Sequence, residues 1–172
     1  MNRILIIFKY SFIDFLTNLR TSFEWAARGF IGNRPQFIKK KVFNKFGIKN
    51  AQWIETGTFR GTSTSFFLRI APRVFSIEPS EFFYKNASKR FEGNKNVEIL
   101  FGSSEEVFPA LLPKIHGDCN FWLDGHFSGG DTFHGENNCP IPQELELIKC
   151  LKRDGVDTIF TGFDGDCTVS YG

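Results

Sequence analysis

The chain has 172 residues, of which 41% are hydrophobic and 23% are charged, and its formal net charge is +2. These values are typical of one globular domain and exclude a disordered or strongly charged chain. No basic tract with interleaved aromatic residues occurs along the chain, so we expect no nucleic-acid partner.

The N-terminal segment has apolar residues at helical spacing. Five of them recur every three or four positions: Ile4, Phe8, Phe12, Phe15 and Leu19. This spacing predicts an amphipathic helix, and no stretch reaches the roughly 18 apolar residues that a bilayer span requires. Packing on the domain, contact with a second copy and contact with a membrane surface through residues 4–19 all stay open. Residues 22–50 predict an irregular, basic connector with a short helix that ends at Gly47.

From Ala51 onward, short apolar runs alternate with helical patterns, as in stacked βαβ units. The predicted strands are Gln52–Glu55, Arg73–Ile77, Val97–Phe101, Asn120–Leu123 and Thr158–Phe163. The predicted helices between them are Thr62–Ile70, Ser80–Phe91, Ser104–Leu112 and Pro142–Lys152, with Ser80 and Ser104 as N-caps. We therefore predict an α/β fold of the Rossmann-like, doubly wound kind, with a mostly parallel sheet of about five strands and helices on both faces. A helical N-terminal region, residues 1–50, precedes this domain of residues 51–172.

Polar residues follow each predicted strand, at the sheet edge where such folds bind ligands. They are Glu55-Thr56-Gly57, Glu78-Pro79, Gly102-Ser103-Ser104, Asp124-Gly125-His126 and Asp164. Four of these five places carry an acid. Because the carboxyl ends of parallel strands share one edge, we expect these side chains to form a site there.

The segment from Glu55 to Gly61 runs from a predicted strand into a helix rich in hydroxyl groups. Gly57 permits a tight turn and a close backbone approach to a ligand, and the helix start offers free N–H groups to a polar or anionic group. Glu78 ends the next strand about twenty residues later, where a carboxylate can accept hydrogen bonds from both ribose hydroxyls. The spacing predicts a nucleotide-cofactor site, although an ordinary, well-capped turn is the alternative.

Asp124 and His126 are delivered to the same edge by an apolar strand. Two such groups at this spacing could act as a general base pair, or as ligands of a divalent ion to which Asp164 also contributes. A helix-capping aspartate and a loop histidine are the structural alternatives.

Four motifs occur in a set order. They are E-T-G-T at Glu55–Thr58, S-I-E-P at Ser76–Pro79, D-G-H-F-S-G-G-D-T at Asp124–Thr132 and C-P-I-x-x-E-L at Cys139–Leu145. Each motif alone is unspecific, but the set makes the run from Trp53 to Ile148 resemble class I S-adenosylmethionine (SAM)-dependent methyltransferases. In particular, it resembles a little-characterised bacterial group that carries these motifs. The resemblance covers more than half of the chain.

The resemblance implies a set of cofactor-binding residues: Glu55, Thr56, Gly57, Thr58, Gly61, Glu78, Gly102, Ser103 and Asp124. Glu55 and Gly57 would line the methionine part of SAM, and Glu78 would hold the ribose. The turn at Gly102-Ser103 would border the adenine, and Asp124 would face the methionine amine, the acceptor or a metal ion.

Three departures from the family pattern stand out. Ser103 replaces an aspartate that often contacts the adenine, and Phe59 replaces the middle glycine of the usual loop. The chain also ends at Gly172, soon after a last strand in which Asp164 only loosely matches the expected acids. A fragment, a frameshifted product and a shortened domain all stay open, and each would weaken catalysis more than cofactor binding.

The resulting functional prediction is a SAM-dependent methyltransferase acting on an oxygen or nitrogen of a small-molecule or saccharide-like acceptor, with Asp124 and His126 as the catalytic pair. An NAD-dependent oxidoreductase is the first alternative, although Phe59 stands where a pyrophosphate requires glycine. A non-catalytic methyltransferase remnant is the second. Four scattered cysteines without a C-x-x-C pair favour a reducing compartment, so we predict a cytoplasmic protein.

Overall fold

The computed structural model describes residues 3–31, 35–125, 140–152 and 158–161, and within them the side chains of 15–31, 35–125 and 140–149. The chain divides into two compact units, one up to Lys45 and one from Phe46 onward.

The first unit contains two helices, α1 (Arg3–Ala27) and α2 (Gln36–Phe46). The predicted amphipathic helix is present and extends further than expected, because residues 22–27 are helical and not irregular. An ion pair between Arg20 and Glu24, one helical turn apart at 2.7 Å, favours this extension. Helix α1 exposes several large apolar side chains, including Phe15, Leu19 and Phe23. Within the described ranges, no helix is long and apolar enough to cross a membrane.

The second unit is built on a five-stranded sheet. Its strands are β1 (Gln52–Thr56), β2 (Val74–Glu78), β3 (Val97–Phe101), β4 (Cys119–Leu123) and β5 (Thr158–Thr161). All neighbouring strands are parallel, in the order β3-β2-β1-β4-β5. This order reverses direction at β1, as in doubly wound folds, so the predicted Rossmann-like α/β class is confirmed.

Helices cover both faces of the sheet. They are α3 (Thr62–Phe67), α4 (Glu81–Phe91), α5 (Ser104–Leu111) and α6 (Ile141–Lys152), with a 3-10 turn at Leu112–Lys114. Successive side chains of β1 contact helices on opposite faces of the sheet. Trp53 stacks on Phe67 of α3, with ring centroids 4.1 Å apart. The next residue, Ile54, packs in a core with residues of α5 and α6. Because successive side chains alternate along a strand, Glu55 faces the α3 side and Thr56 faces the α5–α6 side.

Of the two predicted N-cap residues, Ser80 is confirmed by position and Ser104 is wrong. Ser103, and not Ser104, is the N-cap of α5, because Ser103 has the extended backbone that a cap requires and Glu106 lies three residues later. The two residues form a reciprocal capping box, in which Ser103 Oγ accepts from the Glu106 N–H. Ser80 is the N-cap residue of α4, but its side chain makes no cap bond.

The strand register brings the predicted site residues to one edge. Thr56 is level with Ile77 on one side and with Leu123 on the other, so the ends of β1, β2 and β4 coincide. The edge therefore displays the residues that follow β1, β2 and β4 next to one another.

Candidate functional site

The loop after β1 approaches the end of β4 closely. Gly57 has a φ of +82°, and a Cβ there would lie 2.6 Å from the carbonyl oxygen of Asp124. The N–H groups of Gly57 and Thr58 both donate to the Ile77 carbonyl, at 2.9 and 3.2 Å. Glycine is therefore required at this position both for its backbone conformation and for the space that a side chain would fill.

Phe59 occupies the position of the missing middle glycine and has a φ of +47°. Its backbone thus follows the left-handed path that a glycine would take, at a conformational cost. Its N–H donates to Glu78 Oε2 at 2.6 Å, and its ring packs against Phe83 with centroids 4.5 Å apart. Phenylalanine in place of the usual glycine therefore adds a side chain to the loop after β1, while the backbone keeps its left-handed conformation.

Glu78 lies at the carboxyl end of β2 and is almost completely buried. Its Oε2 accepts from Phe59, and its Oε1 accepts from the Ser80 N–H at 2.9 Å. Burial raises the pKa of Glu78, and the two backbone N–H groups lower it. Each carboxylate oxygen can accept a further hydrogen bond, so Glu78 retains capacity for two donors of a ligand.

Glu55 points away from the edge into a group of hydroxyls on the α3 side. Ser63 donates to its Oε1, while Thr64 and Ser76 donate to its Oε2 at 2.5 and 2.7 Å. Burial raises the pKa of Glu55 to about 7, more than the three hydroxyls lower it, and the Asp124 charge adds to the rise. The contacts of Glu55 in this structure support the loop, and its contact with the methionine part of a cofactor stays a prediction.

Thr58 belongs to the same hydroxyl group. Its Oγ1 lies 2.6 Å from Ser76 Oγ, and the Thr58 side chain is buried. Glu55, Thr58 and Ser76 therefore connect β1, the loop and β2 below the edge. This places Thr58 under the predicted cofactor position, where it holds the loop.

Thr56 and Asp124 join the two central strands at the edge. The Asp124 N–H lies 3.2 Å from both the carbonyl oxygen and Oγ1 of Thr56. A Cβ on Gly125 would lie 3.2 Å from Thr56 Oγ1, so the chain passes close to Thr56 as it leaves β4. Asp124 is half-buried, and its charge contributes to the raised pKa of Glu55.

Glu144, in the first turn of α6, is a site residue that the sequence reasoning missed. It is fully buried, and neither of its carboxylate oxygens has a hydrogen-bond partner among the described residues. Burial raises its pKa to about 7; the hydroxyls of Ser104 and Thr56 act in the opposite direction. Helical spacing could have revealed it, because Glu144 lies between Ile141 and Ile148 on one buried stripe.

The turn after β3 is used for helix capping. Gly102 has a φ of +133° and donates its N–H to the Glu78 carbonyl at 3.2 Å. Ser103 is engaged in its box with Glu106 through both its N–H and its hydroxyl oxygen. The predicted contacts of Gly102 and Ser103 with an adenine stay predictions.

Gly61, at the start of α3, has a φ of +69°, and a Cβ there would lie 2.8 Å from the Phe91 ring. It therefore allows α3 to begin close to α4, and its part in cofactor binding stays a prediction.

Two predicted residues, His126 and Asp164, lie outside the described residues. The catalytic pair and the proposed metal ligands are therefore represented here by Asp124 alone. In the part of the chain that the structure describes, no group of three or more histidine, cysteine or acidic side chains is arranged to hold a metal ion.

Comparison with known proteins gives only distant similarities. No family model and no curated protein sequence matches the chain. A candidate methyltransferase from Streptococcus mutans in complex with SAH is 18% identical with a TM-score of 0.48, covering 72% of this chain and 68% of that one. An rRNA methylase from Streptococcus thermophilus is 18% identical with a TM-score of 0.48, covering 78% and 75%. A candidate methyltransferase from Bacillus halodurans is 17% identical with a TM-score of 0.36, covering 50% and 38%.

The second of these structures corrects one expectation. We expected no nucleic-acid partner, and this exclusion is wrong, because a structure similar to this chain is that of an rRNA methylase. The exclusion depended on the lack of a basic tract in the linear sequence. A surface that binds phosphates can instead be assembled from residues that are distant in sequence.

Proposed function

We propose that this chain is a SAM-dependent methyltransferase whose cofactor binds over the ends of β1, β2 and β4. The observation that carries the proposal is a hydrogen bond between the loop after β1 and the end of β2, in which the Phe59 N–H donates to the Glu78 carboxylate. This hydrogen bond holds the buried carboxylate beside the loop, and the carboxylate oxygens can still accept hydrogen bonds from two ribose hydroxyls.

The acids at the edge favour a cationic ligand. Glu78 and Asp124 lie at the ends of β2 and β4, and Glu144 approaches Thr56 from α6. SAM, when bound, supplies an electrophilic methyl group on a positively charged sulfur. A positive ligand group is stabilised by carboxylates that are partly removed from water, because the effective dielectric constant there is low.

The same features count against the dinucleotide alternative. A pyrophosphate would add negative charge next to these acids, and the Phe59 N–H that could receive it already donates to Glu78. Arg90, in the last turn of α4, donates to the Arg60 carbonyl and to Ser65. Arg60 lies over the Phe59 ring and is available to the single carboxylate of SAM.

The remaining roles follow from the edge and from the family resemblance. Asp124, held by Thr56 at the end of β4, is proposed to face the ligand amine or the acceptor. His126 is proposed as the base that removes a proton from an acceptor oxygen or nitrogen during in-line transfer. A divalent ion on Asp124, His126 and Asp164 is the alternative for the same step. The acceptor is proposed to be a small molecule, with saccharides as the first class to screen.

Calorimetric titration with SAM, its demethylated product S-adenosylhomocysteine (SAH), and NAD tests the proposal. We expect SAM and SAH to bind and NAD to bind at least tenfold more weakly, a difference of about 1.4 kcal/mol. Preferential binding of NAD would replace the proposal with the oxidoreductase alternative. Absence of binding of all three ligands would favour the non-catalytic remnant.

A further inference from the structure

Glu144 combines complete burial with a lack of partners. Neither of its carboxylate oxygens has a hydrogen-bond partner of normal geometry among the described residues, although the hydroxyls of Ser104 and Thr56 lie near enough to lower its pKa. Its neighbours on the same stripe of α6, Ile141 and Leu145, belong to the apolar core. A leucine would fill such a position without the cost of removing a carboxyl group from water. An unpaired buried acid therefore calls for a function.

The groups that face Glu144 define the surroundings of its carboxyl. The hydroxyl groups are those of Ser104 on α5 and Thr56 at the end of β1. The charged groups are the carboxylates of Glu105 on α5 and Asp124 after β4, both of which disfavour ionisation of Glu144. The largest cause of its raised pKa is burial. Both charged groups that act on the pKa of Glu144 are therefore acids, and both favour its protonated form.

We propose that Glu144 is a buried anion that stabilises a positively charged group of the ligand bound over Thr56 and Asp124. The inference rests on the proposed function for the identity of the ligand. Because the side chain is fully buried, it acts across the Thr56 hydroxyl through its field and not by direct contact. The positive group is either the sulfonium, which only SAM carries, or the ammonium, which SAM and SAH share.

The mechanism couples binding to a proton. In the free protein, burial and the neighbouring carboxylates raise the pKa of Glu144 to about 7, so the carboxyl is partly protonated near neutral pH. A bound cation favours the ionised carboxyl, so ligand binding releases this proton to the solvent. A residue with a purely structural role would give no such coupling.

The test is calorimetric titration of SAM and SAH into the wild-type protein, E144Q and E144L at pH 6 and pH 8. At pH 8, where Glu144 is largely ionised, both variants should bind SAM roughly tenfold more weakly, as expected for one charge acting over several ångströms in a protein interior. At pH 6 the difference should shrink, because the wild-type carboxyl is mostly protonated. At pH 7, titration in two buffers of different ionisation enthalpy should show proton release by the wild type that the variants lack.

The control is E146Q, two residues along α6, where an exposed carboxylate pairs with Lys149. It should bind both ligands as the wild type does. Loss of SAM affinity alone in E144Q assigns the interaction to the sulfonium, and equal loss for SAM and SAH assigns it to the ammonium. Wild-type affinity and proton release in both Glu144 variants would overturn the inference and leave the proposed function intact. Failure of the wild type to bind either ligand would remove both.

Discussion

The backbone N–H of Phe59 donates a hydrogen bond of 2.6 Å to the carboxylate of Glu78, nineteen residues later in the chain. This bond joins the loop after β1 to the end of β2. Phe59 makes this bond from a left-handed backbone, a conformation that non-glycine residues adopt at a cost. The carboxylate therefore has two roles, which are to hold the loop and to present acceptor oxygens at the edge.

The first prediction concerns this carboxylate. Replacement of Glu78 by Gln should weaken SAM binding about 10- to 100-fold, since charge-assisted hydrogen bonds contribute about 1.5–3 kcal/mol. Calorimetric titration measures the affinity, and chemical unfolding measures the stability. The matched control is E81Q, at an exposed carboxylate that pairs with Lys85 on the following helix. Equal affinity of E78Q and E81Q would exclude Glu78 from the cofactor site.

The second prediction isolates the close approach at Gly57. Gly57 and Gly117 have nearly the same φ, +82° and +79°, but only at Gly57 would a Cβ meet another backbone, at 2.6 Å from the Asp124 oxygen. G117A should therefore cost only the strain of a left-handed alanine, about 1 kcal/mol, whereas G57A should cost about 3 kcal/mol or more. Urea unfolding of both variants gives the difference. Similar losses would show that the backbones of β1 and β4 can separate at little cost.

The parts of the fold that the sequence predicted well depend on local patterns. The bounds of β3, Val97–Phe101, agree with the prediction, and the other strand starts differ by at most one residue. The alternation of apolar runs with helical patterns reports burial, and burial determines these elements. The parallel order follows because helices separate consecutive strands.

The polar contacts of the site could not be predicted in the same way. The bond between Ser76 and Glu55 and the bond between Phe59 and Glu78 join residues about twenty positions apart, and no periodicity reports such partners. Glu144 belongs to the C-P-I-x-x-E-L motif, yet its burial follows only from the stripe it shares with Ile141 and Ile148. A charged residue on a buried stripe is thus a signal that the motif alone does not give.

The third prediction tests the corrected cap of α5. Ser103 accepts from the Glu106 N–H, whereas the Ser104 hydroxyl donates to its neighbour Glu105 at 3.2 Å. S103A should therefore destabilise the protein by about 1 kcal/mol, and S104A should cost less. Urea unfolding at one pH compares them. A larger loss in S104A would return the cap to the residue that the sequence favoured. SAM titration of S103A also measures its predicted contact with the adenine.

The last prediction concerns pH and stability. Burial raises the pKa of both Glu55 and Glu144 from 4.5 to about 7. The folded chain therefore binds more protons than the unfolded chain between about pH 4.5 and 7. Stability contributed by these protons is fully present below pH 4.5 and is lost as the pH rises through 7, by at most about 3 kcal/mol for each group.

Unfolding by urea at pH 5, 6, 7 and 8 checks this dependence in the wild type, E55Q and E144Q. The free energy of unfolding should fall less with rising pH in each single variant than in the wild type, because glutamine does not titrate. The fall should be smallest in the double variant E55Q/E144Q. The two sites lie on opposite faces of β1, where Glu55 meets hydroxyls of α3 and Glu144 meets those of Thr56 and Ser104. The shared influence of Asp124 on both carboxyls should make their effects slightly less than additive. If the free energy of unfolding of the double variant fell with pH as much as that of the wild type, neither carboxyl would hold a proton near neutral pH. The pH dependence of stability would then come from other groups.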